Sequence, residues 1–153
     1  MPWIDTDDSV RLWYEQEGSG EDVVFIAGLA DEGSCWEPQR AALSDAYRVT
    51  TFDNRAVGRS STPDGDYRIA DLAADAVKLL DALQISRAHV IGSSMGGAIA
   101  QELVVRHPER VESLILHGTW AKTDRHFAEI VRGWQTLARA SSTPAEFFVA
   151  ASV

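Results

Sequence analysis

The stretch His89-Val90-Ile91-Gly92-Ser93-Ser94-Met95-Gly96-Gly97 decides how this chain is read. Ala88 to Ile91 is a short continuous apolar run, as expected of a strand buried on both faces. Gly92-Ser93-Ser94-Met95-Gly96 follows at once and fits G-x-S-x-G with Ser94 in the centre. Ser93 cannot take that centre, because Ile91 would then fill a glycine position. Met95 to Arg106 has helical character and ends near Pro108, with Gly96, Gly97 and Ala100 small enough for close approach to a sheet. A strand, a sharp turn and a helix in this order suit a nucleophilic serine. The central residue is held in a strained conformation with its hydroxyl exposed, and the glycines two before and two after keep strand and helix from clashing. The helix start also aims free N–H groups and its positive dipole end at that hydroxyl. The bland alternative, a Gly/Ser-rich turn without chemistry, explains neither the strand before nor the helix after.

Working outward, apolar runs alternate with helical periodicity. Trp3–Thr6 and Val10–Gln16 read as two strands around a polar turn at Asp7-Asp8. Val23–Ala27, Tyr47–Phe52 and Val111–Leu116 read as further buried strands. Trp36–Leu43 is a short helix. In Ile69–Leu83 the residues Ile69, Leu72, Ala73, Ala76, Leu80 and Leu83 share one face, and Asp71, Asp75, Lys78 and Asp81 fall mostly on the other. Strands alternating with helices imply an α/β fold whose sheet is mostly parallel with crossover helices, of about six strands, with an antiparallel hairpin at its N-terminal edge. Val111–Leu116 is expected at the other edge. Past it, Phe127, Ile130, Val131, Trp134 and Leu137 define an amphipathic helix. Thr143 and Glu146 form a capping box with Pro144 in the first helical position, so another helix is expected to open there. It runs onto Phe147–Val153 without a closing signal and reads as cut.

Bulk composition narrows the function. The 153 residues suffice for one domain with a real core, and a net charge of −9 argues against binding nucleic acid or anionic lipid. Cys35 is the single cysteine, which excludes an internal disulfide and a cysteine-based zinc site; no metal and no cofactor is expected. No signal-peptide pattern opens the chain and no apolar run approaches the roughly 20 residues that span a bilayer, so the expectation is a cytoplasmic protein without membrane contact. A dinucleotide-binding fold is disfavoured, because Gly28-Leu29-Ala30-Asp31 follows the first buried strand in place of Gly-x-Gly-x-x-Gly.

Four segments in order resemble the α/β-hydrolase superfamily, in its serine-nucleophile branch. Besides the turn at Ser94, Phe25-Ile26-Ala27-Gly28-Leu29 is similar to the family's third strand, with Ala27 where a histidine is usual. Phe52-Asp53-Asn54-Arg55-Ala56-Val57-Gly58-Arg59-Ser60 resembles its Asp-x-Arg-Gly-x-Gly-x-Ser loop, with Ala56 in place of a glycine, and His107-Pro108-Glu109-Arg110-Val111 is the fourth. The resemblance implies an N-terminal part of the fold, with residues 1–118 belonging to the core and 119–153 to the start of a helical cap. It implies Ser94 as nucleophile, an elbow shaped by Gly92 and Gly96, and an oxyanion hole from the backbone N–H groups of Leu29 and Met95. The function implied is esterase- or lactonase-like hydrolysis of a small-molecule acyl substrate. Cofactor-free perhydrolases and carbon–carbon bond hydrolases share the architecture, and a non-catalytic interaction module is the alternative of another kind.

The family's order is nucleophile, acid, histidine, and neither the acid nor the histidine is assigned within these 153 residues. His89 and His107 fall at the far end of the sheet and His126 on the amphipathic helix. His117, just past the sixth strand, is the single histidine at the correct end, while Asp31 and Asp53 lie near strand ends and the loop reading already accounts for Asp53. A serine without a positioned base is a poor nucleophile, so the chain alone is expected to have little activity. The edge at residues 111–116 is expected to favour self-association or a partner chain. Trp36, Trp120 and Trp134 are candidate pocket residues, with ordinary core packing as the alternative.

Overall fold

The computed structural model describes residues 2–6 and 10–143. The helix expected to open at Pro144 lies outside them. The chain divides into two compact units, Met1–Trp120 and Ala121–Val153.

The first unit is a six-stranded sheet against which its helices pack. Its strands are β1 (Trp3–Asp5), β2 (Arg11–Glu17), β3 (Glu21–Ile26), β4 (Tyr47–Phe52), β5 (Ala88–Ser93) and β6 (Val111–His117), in the spatial order β1-β2-β4-β3-β5-β6. The first two pairings in that order, β1 with β2 and β2 with β4, are antiparallel, and the remaining three are parallel. The fold class is therefore as the sequence implies, with β6 at an edge.

Helix α1 (Glu37–Leu43) links β3 to β4, α2 (Ile69–Ala82) links β4 to β5, and α3 (Met95–Arg106) links β5 to β6. Alternation along each strand sends side chains to two cores. Val24, Ile26 and Val90 meet Leu72, Leu79, Leu80, Ile99 and Leu103 of α2 and α3. On the opposite face Val23, Phe25 and Val49 meet Trp36 and Leu43 at α1. Trp36 belongs to this second core, since its ring lies 4.7 Å from that of Phe25. The expected helix at Trp36–Leu43 matches α1 within one residue: Gly33–Trp36 is a turn of 3-10 helix, and α1 begins after it with Pro38 in its first turn, where a missing N–H costs nothing.

One assignment on α2 is corrected. Asp75 is buried, 1% exposed, and accepts two hydrogen bonds from Arg55, at 2.6 Å from Nε and 2.7 Å from Nη2. Its helix position, away from the apolar stripe, does not lead one to expect this burial. Periodicity locates a face, but it does not reveal that a guanidinium from a distant loop reaches that face. The pair is bidentate, the geometry in which Arg and a carboxylate interact most strongly.

The topology creates the site. From β3 the chain moves to β4 on one side, and from β4 it crosses back to β5 on the other side of β3. The connections leaving β3 and β5 therefore diverge at the carboxyl ends of these neighbouring strands, and a crevice opens there. Gly28 and Ser94 follow those two strand ends.

The second unit contains α4 (Arg125–Ala140), capped by the Asp124 side chain, which accepts from Phe127 N at 2.8 Å. Phe127 and Trp134 meet edge to face on this helix. No helix among the described residues is long and apolar enough to cross a membrane.

Candidate active site

Ser94 is the single residue between β5 and α3, with φ 53° and ψ −120°. This is a backbone conformation that L-residues avoid, costing about 1–3 kcal/mol, and it persists only where neighbours fix it. Here they do. The Ser94 N–H donates to His117 O at 2.9 Å, and the Ser94 carbonyl accepts from Gly97 N at 3.0 Å and Ala98 N at 3.3 Å. Relieving the strain should stabilise the protein: Ser94→Gly is expected to raise the unfolding free energy by about 0.5–2 kcal/mol in urea titration, because glycine accepts positive φ. A loss of stability would mean that the Ser94 side chain holds the turn.

The glycines are required by distance. A Cβ on Gly96 would sit 2.1 Å from Ile26 O and 2.6 Å from Ala27 O, so the first turn of α3 rests directly on the end of β3. A Cβ on Gly92 would sit 2.4 Å from Gly96 O. A Cβ on Gly28 would lie 3.4 Å from Ser94 Cβ, which brings the segment carrying Leu29 beside the serine. Met95 opens α3, where a helix has no internal acceptor for its N–H. Among the described residues neither the Leu29 nor the Met95 N–H donates to a backbone acceptor. Met95 follows Ser94 directly in the chain, and Leu29 follows Gly28, the residue that packs beside Ser94.

The loop after β4 braces this arrangement. Asp53 is buried, with Oδ1 accepting from Gly33 N at 2.7 Å and Oδ2 from Arg59 N at 2.9 Å. Both its carboxylate oxygens are thus engaged by backbone, which agrees with a structural role. Asn54 Nδ2 donates to Ala27 O at 3.2 Å and ties the loop to the end of β3. Arg55 carries the buried pair with Asp75.

Within the Met1–Trp120 unit, none of the three histidines is hydrogen-bonded to Ser94 Oγ among the described residues. His117 instead has Nδ1 3.2 Å from Ser93 Oγ, the residue before the candidate nucleophile. The sequence reading set Ser93 aside, and the pairing follows from a register in which Ser93 stands opposite His117. β5 runs two residues beyond Ile91 because Gly92 and Ser93 keep pairing with β6. His89 meets Ser113 on the same two strands, and His107 Nδ1 lies 3.6 Å from Glu109. Cys35 offers no rival nucleophile: partial desolvation, followed by the carboxylates of Asp31 and Asp53, pushes its thiol above the ordinary value.

A strained serine at the turn from a parallel strand into a helix, at the switch point of the sheet, agrees with what comparison shows. The alpha/beta hydrolase fold family matches residues 23–151. This chain belongs to that family. Among α/β-hydrolases it is 40% identical over 121 residues to RutD of Variovorax paradoxus, a protein named for carbamate hydrolysis, covering 76% of this chain and 46% of that one. It is 42% identical over 118 residues to BpoC of Mycobacterium tuberculosis, named for non-heme bromoperoxidase activity, covering 76% and 45%. A hydrolase of Pseudomonas aeruginosa superposes with TM-score 0.85 at 31% identity, over 94% of this chain and 54% of that one. The enol-lactonase of Burkholderia xenovorans superposes with TM-score 0.78 at 33% identity, over 91% and 57%. The chain spans about half the length of the relatives it matches.

Proposed function

We propose that Ser94 is the nucleophile of an acyl hydrolase whose substrates are small esters, lactones or carbamates. The observation that carries this reading is the positive φ of Ser94 between β5 and α3. In the reaction, Ser94 Oγ attacks the acyl carbon and the leaving group departs. The resulting acyl-enzyme is then hydrolysed by water. The N–H groups of Leu29 and Met95 stabilise the negative oxygen of each tetrahedral intermediate, an effect worth about 2.7–4 kcal/mol per donor in comparable sites. Names among the relatives and structural neighbours support the substrate class: carbamate hydrolysis for RutD and an enol-lactone for the Burkholderia enzyme.

The same reading assigns the base and the acid of the triad to polypeptide outside these residues. The motivation is that, among the described residues, Ser94 has no histidine partner within its own unit while the relatives are about twice as long. General-base assistance contributes about 10²–10⁴-fold, so the isolated chain is expected to hydrolyse p-nitrophenyl acetate only marginally, and Ser94→Ala to change that rate little. Robust steady-state turnover lost in both Ser94→Ala and His117→Ala would sink the proposal that the base lies elsewhere.

A second observation favours further polypeptide at β6. That strand pairs only with β5 among the described residues, and it exposes Ile115 at 57% and Leu116 at 42%. An unpaired strand with apolar side chains is a template for another strand, and we place the missing portion of the fold, or a second chain, against it.

A further inference from the structure

We propose that this chain carries a second nucleophilic centre, Ser113 activated by His89 and Glu21, at the opposite end of the sheet from Ser94. It is independent of the reading of Ser94. Three parallel strands bring the groups together. Glu21 begins β3, His89 is the second residue of β5, and Ser113 stands opposite His89 on β6. Ser113 Oγ lies 2.7 Å from His89 Nδ1, and His89 Nε2 lies 3.5 Å from Glu21 Oε2. The Tyr47 ring meets the imidazole edge to face, with centroids 6.2 Å apart, and limits its rotation.

The arrangement is a serine, an imidazole and a carboxylate in line. Glu21 beside Nε2 favours the tautomer that carries its proton there, which leaves Nδ1 free to accept the Ser113 proton. A triad is recognised by roles and geometry, and here the two ring nitrogens have exchanged the places they hold in serine proteases. The other serine–histidine contact, Ser93 with His117, has no carboxylate paired with its histidine among the described residues.

His89 and Glu21 line a cleft of about 240 Å³, together with Asp22, Arg87, Ala88 and Glu112. Asp22 is paired with Arg48 and Glu112 with Arg87, while the largely solvent-exposed carboxylate of Glu21 lies beside the imidazole. An anionic substrate is repelled, and the chemistry that fits is an uncharged activated acyl or phosphonyl compound. With a fluorophosphonate, Ser113 Oγ attacks phosphorus, its proton passes to His89 Nδ1, and the P–F bond breaks to release fluoride.

The test is fluorophosphonate labelling of the Ser94→Ala chain, with the adduct located by peptide mass spectrometry. The expected result is an adduct on Ser113. His89→Asn should slow it about 10²-fold, and Glu21→Gln about tenfold. Far-UV circular dichroism of each variant confirms the fold, and Ser113→Ala should abolish the adduct. Absence of an adduct on Ser113 in a folded Ser94→Ala chain would overturn the proposal. So would a Ser113 labelling rate unchanged by His89→Asn.

Discussion

Gly96→Ala should strongly destabilise this chain, although alanine is the better helix former. In an exposed helix the change would gain up to about 1 kcal/mol. Here the new Cβ would lie 2.1 Å from Ile26 O and 2.6 Å from Ala27 O. Both atoms are backbone at the end of a central strand that is paired on both sides, so they cannot move as a side chain could. The helix must shift instead, and it carries Ser94 and the core residues Ile99, Ala100 and Leu103 with it. The expected cost is about 3 kcal/mol or more, the upper range for overpacking, against a total stability of about 5–15 kcal/mol for a typical domain. Urea unfolding followed by circular dichroism measures it. A variant within about 1 kcal/mol of the parent would mean that α3 does not rest on β3.

Asp75→Ala should be comparably damaging for an electrostatic reason. The substitution leaves the Arg55 guanidinium buried without its carboxylate, and breaking such pairs costs about 3–5 kcal/mol. Arg55→Ala should cost a similar amount by leaving the carboxylate. The double variant Arg55→Met/Asp75→Leu should recover much of the loss, because an apolar pair of similar volume pays no desolvation penalty. If the double variant is no better than either single one, the pair contributes through the shape of the loop after β4 and not through charge.

Much of this fold is legible in the sequence because parallel strands buried on both faces leave continuous apolar runs. Val23–Ala27 is found that way, within two residues of β3; Val111–Leu116 matches β6 within one residue, but the burial expected of it is not met, since as an edge strand it is largely exposed beyond Val111. The edge position of β6 follows from the chain order. The turn at Ser94 is legible because two glycines at fixed spacing are dictated by backbone contacts, as the distances at Gly92 and Gly96 show. Contacts between residues far apart in sequence are not legible in this way. Asp75 sits among polar helix neighbours, and nothing local announces that Arg55, 20 positions earlier, enters the core to meet it. Ser93 with His117, and Ser113 with His89, depend on the relative register of β5 and β6, which hydrophobic patterning leaves open by steps of two residues. The expected helix at residues 36–43 begins one residue before α1 because Trp36 is apolar for another reason, its packing against Phe25.

The central claim is that Ser94 is a built nucleophile without a base of its own, and chemical rescue tests it most directly. The isolated chain is treated with a fluorophosphonate, with and without added imidazole, and the adduct on the Ser94 peptide is quantified over time. Slow labelling of Ser94 is expected, which imidazole accelerates about tenfold or more, within the range of general-base catalysis, and which His117→Ala leaves unchanged. Fast labelling of Ser94 without imidazole, abolished by His117→Ala, would contradict it and show that the chain supplies its own base.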